Sequence, residues 1–87
     1  MASYELRFKK SVAKDLRPLP NSHVKRILQR IRTLANDPRP AGCEKLSGHE
    51  RYRVRQGAYR IIYEIEDHRL VVLVVKVGHR SEVYRVN

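Results

Sequence analysis

Residues 52–65, Y-R-V-R-Q-G-A-Y-R-I-I-Y-E-I, constrain the fold more than any other part of the chain. Tyr52, Val54 and Gln56 alternate with Arg53 and Arg55; beyond Gly57 and Ala58, Arg60 and Ile62 alternate with Tyr59, Ile61 and Tyr63. Two alternating runs rich in β-branched and aromatic residues, split by a short glycine-containing turn, spell an antiparallel hairpin. With Gly57 and Ala58 as the turn, Gln56 faces Tyr59, Arg55 faces Arg60 and Arg53 faces Ile62. Residues opposite one another share a face of a sheet, so Arg53, Arg55 and Arg60 project together. Like charges so placed destabilise, by an amount comparable to the ~0.2–1 kcal/mol that favourable cross-strand pairs contribute. Two readings account for that cost. Either the arginines form a ready-made site for a polyanion, or they splay into solvent or pair with Glu64, Glu66 or Glu82.

The flanking segments say what the hairpin packs against. Residues 4–8 alternate weakly, with Tyr4, Leu6 and Phe8 on one side, and read as a first strand. From Lys9 the period changes: Phe8, Val12, Leu16 and Leu19 fall on one helix face, and Pro18 and Pro20 end that helix. Asn21 or Ser22 caps a second helix, whose apolar positions Val24, Ile27, Leu28, Ile31, Leu34 and Ala35 keep helical spacing. Lys25, Arg26, Arg30 and Arg32 lie between them and read as a solvated outer face, with nucleic-acid binding as the rival reading. The run N-D-P-R-P at 36–40 breaks the helix, Asn36 being available as its C-terminal cap, and residues 38–50 read as a polar connection. After the hairpin and a turn at Asp67 and His68, residues 70–77, L-V-V-L-V-V-K-V, are apolar on both parities. They should form a strand buried on both faces, inside the sheet. Residues 82–86 can add a short last strand. The expected architecture is α+β, ordered β-α-α-β-β-β(-β), with two N-terminal helices on one face of a mostly antiparallel sheet.

At 87 residues the chain, 1–87, is a single domain that buries roughly 60–65% of its unfolded surface. Lys plus Arg outnumber Asp plus Glu by 19 to 9, a formal charge of +10. So strong a field on so small a body draws in nucleic acid or an acidic protein. Cys43 stands alone, which excludes a disulfide framework and a thiolate metal site. His23, His49, His68 and His79 share no ligand spacing, so neither metal nor cofactor is expected. The start, M-A-S-Y-E-L-R-F, has no apolar signal core and no run reaches membrane-spanning length; a soluble, cytoplasmic protein is expected.

Three segments together resemble the RelE/ParE superfamily of bacterial type II toxins, and its RelE branch in particular. They are L-A-N-D-P-R-P followed by K-L-S-G, then Y-R-V-R-Q-G-A-Y-R-I-I-Y-E-I, and finally V-V-K-V-G-H-R-S-E-V-Y. The resemblance runs from Tyr4 to Val86. It implies the toxin of a toxin–antitoxin pair, an mRNA interferase that enters the ribosomal A site and cuts the codon there. The 2′-hydroxyl attacks the adjacent phosphate without a metal, and a cognate antitoxin holds the enzyme inactive. It also implies mRNA and the ribosome as partners, with DNA reached only through the antitoxin. Carried onto this chain, the family's basic positions fall on Arg53, Arg55, Arg60 and Arg80, and its late tyrosine on Tyr84. Family members often carry lysine at one or both of the first two positions. Arginine in effect does not deprotonate, so a charge-stabilising role transfers to Arg53 and Arg55 and an acid–base role does not. His79, next to Arg80, is a possible general acid for the leaving 5′-oxygen, or else a loop histidine in solvent. Tyr52, Tyr59 and Tyr63 alternate away from the arginines and belong to the core.

Two other functions stand beside this one. A ParE-like toxin would share the scaffold and poison DNA gyrase without cutting RNA; the basic and tyrosine set argues against it. A plain binding module would use its charge only to hold an antitoxin or RNA.

Overall fold

The computed structural model describes residues 3–46 and 50–79. Its elements are β1 (Glu5–Phe8), α1 (Lys10–Leu16), α2 (Asn21–Thr33), β2 (Glu44–Leu46), β3 (Arg51–Gln56), β4 (Tyr59–Glu66) and β5 (Val71–His79). The strands form one sheet in the order β1-β5-β4-β3-β2. Only the β1–β5 pair is parallel; the other three pairings are antiparallel. Both helices pack on one face, so the expected α+β architecture holds. Arg80, Glu82, Tyr84 and the strand expected at 82–86 lie outside the described residues.

The hairpin has the register its alternation demands: Gln56 opposite Tyr59, Arg55 opposite Arg60, Arg53 opposite Ile62. Gly57 takes φ +60 and Ala58 does not have a positive φ. That is the type II′ pattern, whose twist matches the flanking strands and whose first central position favours glycine. The inner parity of the hairpin, Tyr52, Val54, Ile61, Tyr63 and Ile65, meets Val12, Ile27, Ile31 and Leu34 of the helical layer. Tyr63 is fully buried and its hydroxyl donates to the carbonyl of Pro38 at 2.6 Å, which satisfies the one polar atom its burial would strand. Burial pushes that hydroxyl's pKa well above the ordinary tyrosine value. Residues 71–77 are mostly buried, and β5 sits between β1 and β4 as their two-sided apolar pattern requires.

Several boundaries differ from the sequence reading, each for a local reason. Residues 38–50 are not all connection: Glu44–Leu46 pairs with β3 as an edge strand. Three residues are too few to register as an alternation. Helix α1 stops at Leu16; Phe8 stays in β1, while Leu19 leaves the helix yet still packs on the core. Pro20, not Asn21 or Ser22, is the N-cap of α2, and its carbonyl accepts the N–H groups of His23 and Val24 at 3.0 and 3.1 Å. A proline fixed at φ −58 with extended ψ already supplies the non-helical cap conformation. At the other end Leu34 is the right-handed C-cap, and Asn36 takes no left-handed conformation.

Two polar ties fix the helical layer and loops to the sheet. Asp15 of α1 accepts from Lys76 Nζ and from the Val77 N–H, both at 3.1 Å, anchoring the end of β5. Arg39 lies 5.1 Å over the Tyr52 ring and reaches Asp67 through two bonds of 3.2 and 2.9 Å, while Tyr4 donates to the same carboxylate at 2.8 Å. The bonds from Arg39, then from Tyr4, lower the Asp67 pKa from 3.8 to about 2. A carboxylate depressed in the folded state adds stability above its unfolded value and loses it as pH falls through the folded one. Between about pH 4 and pH 2 the melting temperature should therefore fall faster in the native chain than in Asp67→Asn. Parallel acid profiles for the two proteins would mean that the clasp does not stabilise the fold.

Candidate active site

The parity that faces away from the helices carries the arginines. β2 adds Glu44 opposite Arg53, β3 adds Arg53 and Arg55, and β4 adds Arg60 and Ile62. A small apolar cluster, Ile62 and Val75 with Leu46 and Leu73 packed against it, forms a floor on this side of the sheet. The row is graded in exposure. Arg55 is exposed, whereas Arg53 and Arg60 are only 6% and 8% exposed. Arg60 is paired across β5 with Gly78, so that strand contributes no side chain beside it. A guanidinium held in a fixed place suits a planar oxyanion.

Among the described residues the row's acidic partner is Glu44, which the sequence reading did not name; Glu82, which it did name, lies outside them. Arg53 forms an ion pair with Glu44, whose own side chain is 62% exposed. Glu64 instead holds Arg51 at 2.7 Å, and Glu66 holds Arg69 at 2.9 Å. Glu44 thus stands as a solvent-accessible carboxylate on the arginine face, one residue pair from Arg55 and Arg60. Alternation across C-E-K-L at 43–46 was the only available signal. It is too short to distinguish a strand from a loop.

Arg53, Arg55 and Arg60 are brought together as expected; His79 is not brought to them. It ends β5 opposite Tyr59, and its ring meets the Tyr59 ring edge-on at 6.2 Å. Tyr59 packs against the helix-side core, so this pairing lies on the other face of the sheet. The Tyr59 hydroxyl is 2.8 Å from Nδ1 of His23. These groups, with Arg26 and residues 56–58, line an open pocket of about 300 Å³ at the hairpin end. Tyr52 and Tyr63 stack at 5.9 Å on the helix side, in the core as expected. Arg80 directly follows His79 in sequence; it and Tyr84 fall outside the described residues. Among the described residues no three His, Cys, Asp or Glu side chains converge to hold a metal ion.

Residues 6–84 match the family model described as the ParE toxin of the type II toxin–antitoxin system parDE. The chain is 29% identical to toxin RelG of Mycobacterium tuberculosis, over 94% of this chain and 97% of that one. It is 30% identical to the mRNA interferase toxin RelE of Escherichia coli, over 94% and 90% respectively. The archaeal RelE of the RelE–RelB complex from Pyrococcus horikoshii superposes with a TM-score of 0.82 at 31% identity, covering 92% of this chain and 98% of that one.

Proposed function

Because the chain belongs to the RelE/ParE family of type II toxins, and to its RelE branch, we propose that it is an mRNA interferase. It cuts mRNA in the ribosomal A site without a metal, and a cognate antitoxin of the kind seen in the RelE–RelB complexes holds it inactive. The observation that carries this reading is the arginine row. A domain that gathers Arg53, Arg55 and Arg60 on the face its helices leave open, with Arg55 directly across from Arg60, presents a fixed cationic row to an anionic ligand.

The chemistry follows from the residue types. The ribose 2′-oxygen attacks the adjacent phosphorus in line and loses its proton; the bond from phosphorus to the 5′-oxygen breaks, and that oxygen gains one. A 2′,3′-cyclic phosphate and a 5′-hydroxyl result. Charge grows on the non-bridging oxygens, and preorganised guanidinium donors stabilise it more than they stabilise the ground state. Arg60 and Arg80 form that clamp, Arg55 guides the strand, and Tyr84 orients or stacks on a base. Arg53, buried and ion-paired, positions Glu44. A guanidinium accepts no proton but a carboxylate does, so Glu44 takes the 2′ proton. His79 faces Tyr59 rather than the row and is given no step.

A second reading draws on the ParE description of the matching family model: a gyrase poison that leaves RNA intact. One experiment separates the two. The chain is expressed briefly in bacteria without antitoxin, and new mRNA 5′ ends are mapped beside a chromosome-breakage assay. Codon-phased ends, lost in an Arg80→Ala/Tyr84→Ala double variant, are the expected result. Broken chromosomes over intact mRNA would replace the nuclease with the gyrase poison.

A further inference from the structure

The sheet has least support where it seats Arg60. β1 borders β5 only from Val71 to Val74, and the Lys9 N–H donates to the Val74 carbonyl at 2.9 Å as the chain leaves for α1. Beyond that point, among the described residues, β4 alone borders residues 75–79. The stretch also opens on a bulge. Ile62 pairs with Lys76 and Tyr63 with Val74, so Val75 is an extra residue between them. A bulge interrupts the ladder and bends its strand, and bulges gather where a side chain has to be re-aimed.

Here the bulge exchanges the two parities of β5. Before it, Val72 and Val74 pack with the helix-side core, while Leu73 joins Ile62 and Val75 on the outer floor. After it, Val77 is in the helix-side core and Gly78 pairs with Arg60 on the outer face. Without the extra residue, Arg60 would stand opposite Val77. Asp15 of α1 holds this stretch: its carboxylate accepts from the Val77 N–H and from Lys76 Nζ, both at 3.1 Å, and its side chain is only 12% exposed. A side chain thus satisfies a backbone donor past the end of β1, where a longer strand would have done so. Helix preference does not account for the residue. Aspartate is a poor helix former, and Asp15 lies in the last turn of α1, where the macrodipole disfavours negative charge. A residue kept against both preferences answers to the contact it makes.

We infer that Asp15 is a positioning residue for the arginine row: through the Val77 N–H it fixes the bulged end of β5, and with it Arg60, which is paired to Gly78. The consequence for cleavage rests on the nuclease reading; the hold on Arg60 does not. Asp15 sits in the helical layer and meets no substrate on the outer face. It acts by keeping a guanidinium where the developing oxyanion needs it, and a displacement of about 1 Å at such a donor costs ~100-fold in rate.

The test compares Asp15→Ala with Asp15→Asn in the full chain. Asparagine keeps an oxygen for the Val77 N–H and gives up the charge that Lys76 pairs with; alanine gives up both. Amide hydrogen exchange reads the position directly. In Asp15→Ala the Arg60 and Gly78 amides should exchange at least about tenfold faster while Tyr52 and Val72 stay as they were, and Asp15→Asn should match the native chain. Single-turnover cleavage of ribosome-bound mRNA should slow by about tenfold to a hundredfold in Asp15→Ala and recover most of its rate in Asp15→Asn. Affinity for mRNA with 2′-methoxy at the cut site should stay within about threefold in both. Ile31→Val, a core change far from the end of β5, controls for lost stability and should cut at the native rate. Native exchange at Arg60 and Gly78 in Asp15→Ala would overturn the inference. So would an Asp15→Asn variant as slow as Asp15→Ala, which would assign the effect to charge rather than to the amide bond. A native chain that cuts no mRNA would remove the nuclease reading alone, and exchange at Arg60 and Gly78 would still decide whether Asp15 holds them.

Discussion

Replacing Arg60 with alanine should slow single-turnover mRNA cleavage by about a hundred- to a thousandfold while leaving the fold as stable as before or more so. The first half follows from the loss of one preorganised donor to a developing oxyanion, which costs ~3–4 kcal/mol of barrier. The second half follows from the register. Arg60 lies directly opposite Arg55, and removing one of two like charges in a cross-strand pair relieves repulsion. Arg60→Met is the better stability probe, because Arg60 is buried and a long apolar side chain replaces part of its packing. Unchanged or raised melting temperature with collapsed cleavage would mark strain kept for function. Arg60→Lys should recover about tenfold at most, since a lysine restores the charge but not the planar fork that meets two oxygens at once. If the alanine variant cleaved at close to the native rate, or if its melting temperature fell in step with activity, Arg60 would be a structural residue and the clamp would have to be sought elsewhere.

What the sequence made legible was whatever a period or a turn could encode. The hairpin register is correct because Gly57 fixes the turn and strict alternation leaves one pairing that turns the three tyrosines to the helix side. The interior place of β5 is legible because only a two-sided strand tolerates valine on both parities. Caps and short edges were not legible. Pro20 caps α2 through its backbone conformation rather than through the side chain that cap rules look for. β2 is held by pairing with β3, a non-local relation that three residues cannot announce. The consequence reached the site itself. Without β2, Glu44 was a loop residue, and the acids considered for the arginine row were Glu64 and Glu66, which hold Arg51 and Arg69, and Glu82, which lies outside the described residues. For His79 the sequence left the face undecided: its pairing opposite Tyr59 at the end of β5 puts it on the helix side, away from Arg53, Arg55 and Arg60. The surrounding fold therefore decides which polar residues can act together, and it is decided by contacts far apart in the chain.

Glu44→Gln should slow cleavage by about a hundred- to ten-thousandfold, the range set by removing a positioned general base. Glutamine is close in shape and keeps an oxygen to accept from Arg53, so the buried guanidinium retains a partner and the arginine row keeps its place. What is lost is the capacity to hold a proton. Affinity for a substrate whose 2′-hydroxyl at the cut site is replaced by 2′-methoxy should consequently stay within about threefold of the native value. A variant that lost binding and rate together would indicate that Glu44 serves only to seat Arg53. Undiminished cleavage would remove it from the mechanism, leaving acceptance of the proton to water or the ribosome. Either way the pairing of an exposed carboxylate with a buried arginine on the open face is the feature to interrogate, because it is where the site's charge stabilisation and its proton transfer would have to meet.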